Sequence, residues 1–179
     1  MVRRNSVRTA CPWRITNSTL YEAGNLQATI EAGFTTVQSL GAAIDKDVRD
    51  AINAGAIPGP RLLTSIHQIT EKSGAPAKLR EMVRQTKAEG GDVIKIFATA
   101  SIRDGGKQTM TDEQIAAVCG EAKAQGMRAV VHLYPADTAR KVILAVCTGV
   151  EHGTFLDDAT LQLMHDRGIF FDANYLVSD

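Results

Sequence analysis

Residues 90–106 read GGDVIKIFATASIRDGG, and they place one lysine, Lys95, inside the apolar run Val93-Ile94-Lys95-Ile96-Phe97. β-branched and aromatic side chains favour a strand, and glycine pairs on either side bound it. An unpaired ammonium in a dry core costs on the order of several kcal/mol or sheds its charge. Lys95 therefore either points to solvent from a half-buried strand or stands at the mouth of a core.

The same beat runs along the rest of the chain. Strands are predicted at residues 35–40, 61–66, 92–97, 128–133, 149–152 and 168–175, with amphipathic helical stretches between them. One such stretch carries Leu79, Met82, Val83 and Thr86, and another carries Ile115, Val118, Cys119 and Ala122. Thr111 with Gln114 three residues on forms a capping box, and Gly126 supplies the stop. Asp157 or Asp158 caps the next helix, which ends at Gly168. Strand, helix, glycine, strand, repeated, predicts βα architecture on a parallel sheet, either doubly wound or a (β/α) barrel. Neither GxGxxG after the first strand nor GxxxxGK[ST] occurs, so nothing speaks for a bound nucleotide. Residues 1–20 lack periodicity and are expected to be irregular, which leaves 21–179 as the folded domain.

Composition sets the outer limits. At 179 residues, 44% apolar and 22% charged, the chain has the profile of one soluble domain. Its formal net charge is zero, so no electrostatic case exists for nucleic acid or an anionic membrane. Arg3, Arg4, Arg8 and Arg14 precede no apolar segment of signal-peptide length. Cys11, Cys119 and Cys147 are odd in number and form no CxxC; they read as free thiols, which points to a cytoplasmic location.

Three residues stand out because C-terminal strand ends form the working rim of parallel α/β folds. Lys95 lies in one predicted strand, His132 ends the next, and His152 ends the one after. A single strand histidine is usually structural, but three such groups on consecutive βα units favour chemistry. Glu151 should point away from His152 by strand alternation, in a structural role. His165, near a helix end, suits the surface, and His67 follows a strand end with its role open. The glycine-containing βα loop at residues 101–114 could cover a pocket or bind an anion, and reads most simply as a flexible connection.

Five motifs in order, EAGFTTVQSLG, IPGPRLLTS, DVIKIFAT, VVHLYP and VEHGTFLDD, resemble the metal-dependent amidohydrolase superfamily, in particular its imidazolonepropionase-like and Xaa-Pro dipeptidase-like members. The resemblance covers residues from about Ala23 to about Phe171. It implies a (β/α)₈ TIM barrel whose strand ends hold one or two divalent metals, usually zinc. By the resemblance, Lys95 matches a fourth-strand lysine that is carboxylated and bridges the metals, while His132 and His152 match metal-binding histidines of strands five and six. Tyr134 matches a position facing substrate. The implied activity is hydrolysis of C–N bonds in an amide, dipeptide or cyclic amide by metal-activated water.

Two family features are missing from the sequence. No HxH motif occurs, and no aspartate matches the one ending the eighth strand, since neither Asp172 nor Asp179 fits. The chain therefore offers about strands two to seven of eight: an incomplete barrel with at most one metal expected and no assignable catalytic residue. The alternative is an inactive fragment that binds one metal or self-associates to cover its open sheet edges.

Overall fold

In the computed structural model, residues 17–173 are described. The helix α1 (Asn17–Glu31) opens them, so helix begins four residues before the expected end of the irregular segment; residues 1–16, Cys11 among them, lie outside the described residues. Strand β1 (Thr36–Ser39), helix α2 (Asp45–Asn53), strand β2 (Arg61–Thr64) and a short β3 (Gln68–Ile69) follow. Four regular units come next: α3 (Pro76–Ala88) and β4 (Val93–Phe97); α4 (Asp112–Ala124) and β5 (Arg128–Pro135); α5 (Ala136–Leu144) and β6 (Gly149–Phe155); α6 (Asp158–Arg167) and β7 (Phe170–Asp172).

All named strand pairs are parallel, β1 with β2 and then β3-β4-β5-β6-β7 in sequence order. The two sheets are one arc with a break. Asp92 donates its N–H to the Thr64 carbonyl at 2.7 Å, and its carboxylate accepts the Thr64 N–H at 3.0 Å, which ties the end of β2 to the head of β4. Between β2 and β3 the backbone kinks at Ile66, whose φ is +55°. Strand order that follows sequence order through helical crossovers is the signature of a barrel rather than a doubly wound sheet. The two-residue β3 is too short to read from sequence.

Helix boundaries follow the caps. Thr111 and Gln114 form the expected reciprocal box at α4, and the Asp157 side chain accepts the Thr160 N–H at α6. Gly126 and Gly168 adopt the left-handed conformation that ends their helices. Side chains that alternate on β4, β5 and β6, among them Ile94, Ile96, Val131, Leu133 and Val150, face the helices and form a continuous apolar core with Leu79, Val83, Ile115 and Val118. A smaller cluster, Leu26, Val48 and Leu62, holds the β1–β2 end.

The cysteine expectation needs correcting. Cys119 on α4 and Cys147, in the turn after α5, are bonded to each other as a disulfide with Cα atoms 4.9 Å apart. They stand 28 residues apart in sequence, and neighbouring helices bring them together, which spacing alone does not reveal. The inference from free thiols to a reducing compartment goes with them. No described helix is long and apolar enough to cross a membrane.

Candidate functional site

Lys95 does not face solvent. It lies on the inner face of the arc, opposite the helices, with its side chain only 5% exposed, and it forms an ion pair with Glu151 of β6. Alternation puts Phe97 on the same face, and its ring centroid is 5.1 Å from the Lys95 Nζ. Burial pushes the Lys95 ammonium down to about 8, against the pull of the Asp172 carboxylate on β7. The amine therefore remains protonated at neutral pH.

Glu151 is the functional-face residue that sequence reading misses. Alternation predicts that adjacent residues on a strand point to opposite faces, yet Glu151 and His152 both reach the interior. The register explains it: Leu133 pairs with His152, but Pro135 pairs with Phe155, so β6 carries one residue more than β5 across this step. Such a bulge bends the strand and re-aims a side chain. His152 takes a φ of +70° and Gly153 one of +54°. For a non-glycine residue that conformation costs on the order of 1–3 kcal/mol. At Gly153 a side chain is also sterically barred, since a Cβ would lie 2.6 Å from the Phe171 ring. The tripeptide Glu151-His152-Gly153 was the available signal, because a glycine inside a strand pattern marks a bulge.

The result is a ring cluster at the C-terminal ends of the strands. The His132 and His152 centroids lie 4.5 Å apart at 75°. Phe97 sits 4.8 Å from His132, and Tyr134 stacks on His152 at 5.4 Å and 23°. Burial, then the neighbouring His152 and Lys95, push the His132 imidazolium down to about 4, while its bond to the Ala100 backbone acts the other way. His132 is thus a neutral imidazole at pH 7. Below this cluster, on the inner face, Gln38 of β1 accepts a 2.7 Å hydrogen bond from Arg128 of β5.

The other histidines stand apart. His67 pairs with Glu89 at 2.5 Å, and the exposed His165 lies 3.3 Å from Asp166, as a surface role predicts. A cleft of about 430 Å³, lined by Lys123, Arg128, Val146 and Arg167, opens beside the N-terminal end of β5 and contains none of the clustered rings.

An arc of parallel βα units with titratable groups gathered inside its strand ends defines a (β/α)-barrel protein. The chain belongs to the amidohydrolase family, whose model matches residues 4–178. Among solved structures it is similar to a Xaa-Pro dipeptidase with bound methionine in the active site (27% identity, TM-score 0.79), covering 92% of this chain and 48% of that one. It is also similar in fold to A. niger ochratoxinase (20% identity, TM-score 0.80; 86% and 44% covered). A prolidase complexed with N-methylphosphonate-L-proline gives 20% identity and a TM-score of 0.78, with 86% and 45% covered. The chain thus spans about half the length of these structures or less, as an incomplete barrel does. No curated protein matches it.

The family generally uses divalent metals, and the donor types here suit one ion. His132 offers a neutral imidazole with its ring engaged by the Ala100 backbone, the arrangement that orients metal-binding histidines. His152 lies beside it, and Lys95 occupies the next strand. Lys95 is engaged by Glu151, and no three His, Cys, Asp or Glu side chains form a metal-binding group among the described residues. The two imidazoles face each other, whereas Lys95 is held by Glu151.

Proposed function

We propose that this chain carries the metal-binding half-site of a hydrolase acting on C–N bonds in an amide, dipeptide or cyclic amide. The observation that carries it is the His132–His152 pair, 4.5 Å between ring centroids, inside an amidohydrolase-type arc that also presents Lys95. In this reading His132, His152 and Lys95 hold a divalent cation, zinc by donor type. When bound, such an ion supplies Lewis acidity toward the scissile carbonyl and lowers the pKa of a coordinated water.

The residues contribute the rest. His132, held neutral by burial, keeps a lone pair for a ligand at physiological pH. Lys95 would serve as an anionic ligand after its ammonium gives up one proton and the freed amine nitrogen bonds to the carbon of carbon dioxide, releasing a second proton. Tyr134, stacked on His152, is the candidate substrate contact. The Xaa-Pro dipeptidase among the similar structures makes a dipeptide the first substrate class to assay.

The Lys95–Glu151 pair favours a second reading. Here the chain does not catalyse: it binds at most one ion, or associates with a second copy along its open edge. The strongly exposed Phe170 on β7 supports that surface.

Elemental analysis of protein made in zinc-supplemented medium tests both. About one zinc per chain in the wild type, lost in His132→Ala, supports the half-site. Zinc in neither protein sinks it, and sedimentation then reports on self-association.

A further inference from the structure

The segment after β4 is not the flexible connection that its glycines suggest. Its ends are tied by an antiparallel bridge between Thr99 and Gln108, and Ala100 donates its N–H to the Lys107 carbonyl at 2.9 Å. Ser101 caps the 3₁₀ turn Ile102–Asp104, and Gly106 closes back with an N–H to the Ser101 carbonyl at 2.9 Å. Gln108 then reaches the Met110 carbonyl and Asp112, at 2.8 and 2.7 Å. This is a folded loop with a fixed position.

The loop lies on Tyr134. Gly106 has a φ of +61°, and a Cβ built there would sit 3.1 Å from Tyr134 Cδ2 and 3.3 Å from its Cβ. Tyr134 is buried to 7% exposure, and its other side faces His152, stacked at 5.4 Å. His132 meets the same tyrosine edge-on at 5.0 Å. One ring therefore touches both imidazoles of the half-site and is itself backed by a glycine of a neighbouring unit.

We infer that Tyr134 and Gly106 are positioning residues: the loop glycine seats the tyrosine ring, and the ring fixes the orientation of His152 beside His132. The inference rests on the metal-binding role proposed above. Its physical basis is that His152 sits in a bulge with a left-handed backbone, where alternation does not set its direction. Contacts from outside the strand must help set the imidazole, and the stacked Tyr134 ring is one of them. Groups that orient a ligand from behind commonly alter metal affinity about 10–100-fold when removed.

The test is titration of the full chain with cobalt(II), followed by its visible absorption, for wild type, Tyr134→Leu, Tyr134→Phe and Gly106→Ala. Circular dichroism checks that each variant is folded. Tyr134→Leu and Gly106→Ala are expected to bind cobalt about tenfold or more weakly, with altered band positions. Tyr134→Phe, which keeps the ring, should stay within about twofold of wild type. If Tyr134→Leu fails to fold, Gly106→Ala alone decides, because it moves the ring without removing it. Cobalt binding by the wild type with unchanged affinity in the variants overturns the positioning role and leaves the metal reading standing. No cobalt uptake by the wild type overturns both.

Discussion

The two faces of strands β4, β5 and β6 are built from alternate residues of the same short segments, yet they obey different rules. On the helix side, Ile94, Ile96, Val131, Leu133 and Val150 are almost fully buried and touch other apolar side chains. On the inner side stand Lys95, His132 and Glu151, buried nearly as deeply but charged or polar. The outer face gains its stability from apolar area removed from water, which is non-directional and tolerant. The inner face must find a partner for each buried group, because a missing partner leaves a charge or donor unsatisfied. Stability is concentrated on one face and chemistry on the other.

The contrast can be broken most sharply at the buried ion pair. Lys95→Met leaves the Glu151 carboxylate buried without its partner and should destabilise the protein by about 3–5 kcal/mol in urea denaturation. Replacing both, as Lys95→Met with Glu151→Leu, should recover most of that loss. If the single variant is as stable as wild type, the pair is not buried in solution. On the outer face, Ile96→Ala should cost about 2–5 kcal/mol through lost burial and a residual cavity. Cobalt uptake by the folded fraction should be unchanged; a loss of uptake would show that the faces are coupled.

The smallest effect lies in the helical layer and concerns acid. Hydrogen bonds from the Thr160 side chain and backbone, with Arg140 adding to them, hold the Asp157 carboxyl below its usual range. A carboxyl depressed in the folded state binds protons more readily when unfolded, so its contribution is full above the unfolded value of about 3.9. It is lost as pH falls through the folded pKa. Thermal melts of wild type should therefore lose slightly more stability below about pH 4 than those of Asp157→Asn, which keeps a cap that does not titrate. Parallel acid profiles for the two would remove Asp157 from the account.

Much of the outer layer was legible. Glycine stops, the Thr111–Gln114 box and β-branched runs are local devices, and local devices depend on few neighbours. The candidate site was legible only in part. Lys95, His132 and His152 could be singled out by their strand positions, and the structure brings the two histidines together with the lysine on the adjacent strand. Alternation puts Glu151 on the wrong face relative to His152, because period 2 fails at a bulge whose extra residue is defined only against β5. The Cys119–Cys147 bond was missed for a related reason, since 28 residues of chain separate its ends. The glycines of the loop onto Tyr134 signal freedom in the sequence, whereas Gly106 permits close approach to the ring.

By itself, the sequence determined the order of βα units, the helix ends and the family, because these follow from periodicity, caps and motifs carried within each short segment. Tertiary structure alone decided which charge answers Lys95, which way His152 turns and what holds its ring. Those are contacts between units that the chain visits far apart, and their energies exist only once parallel strands fix the distances between them.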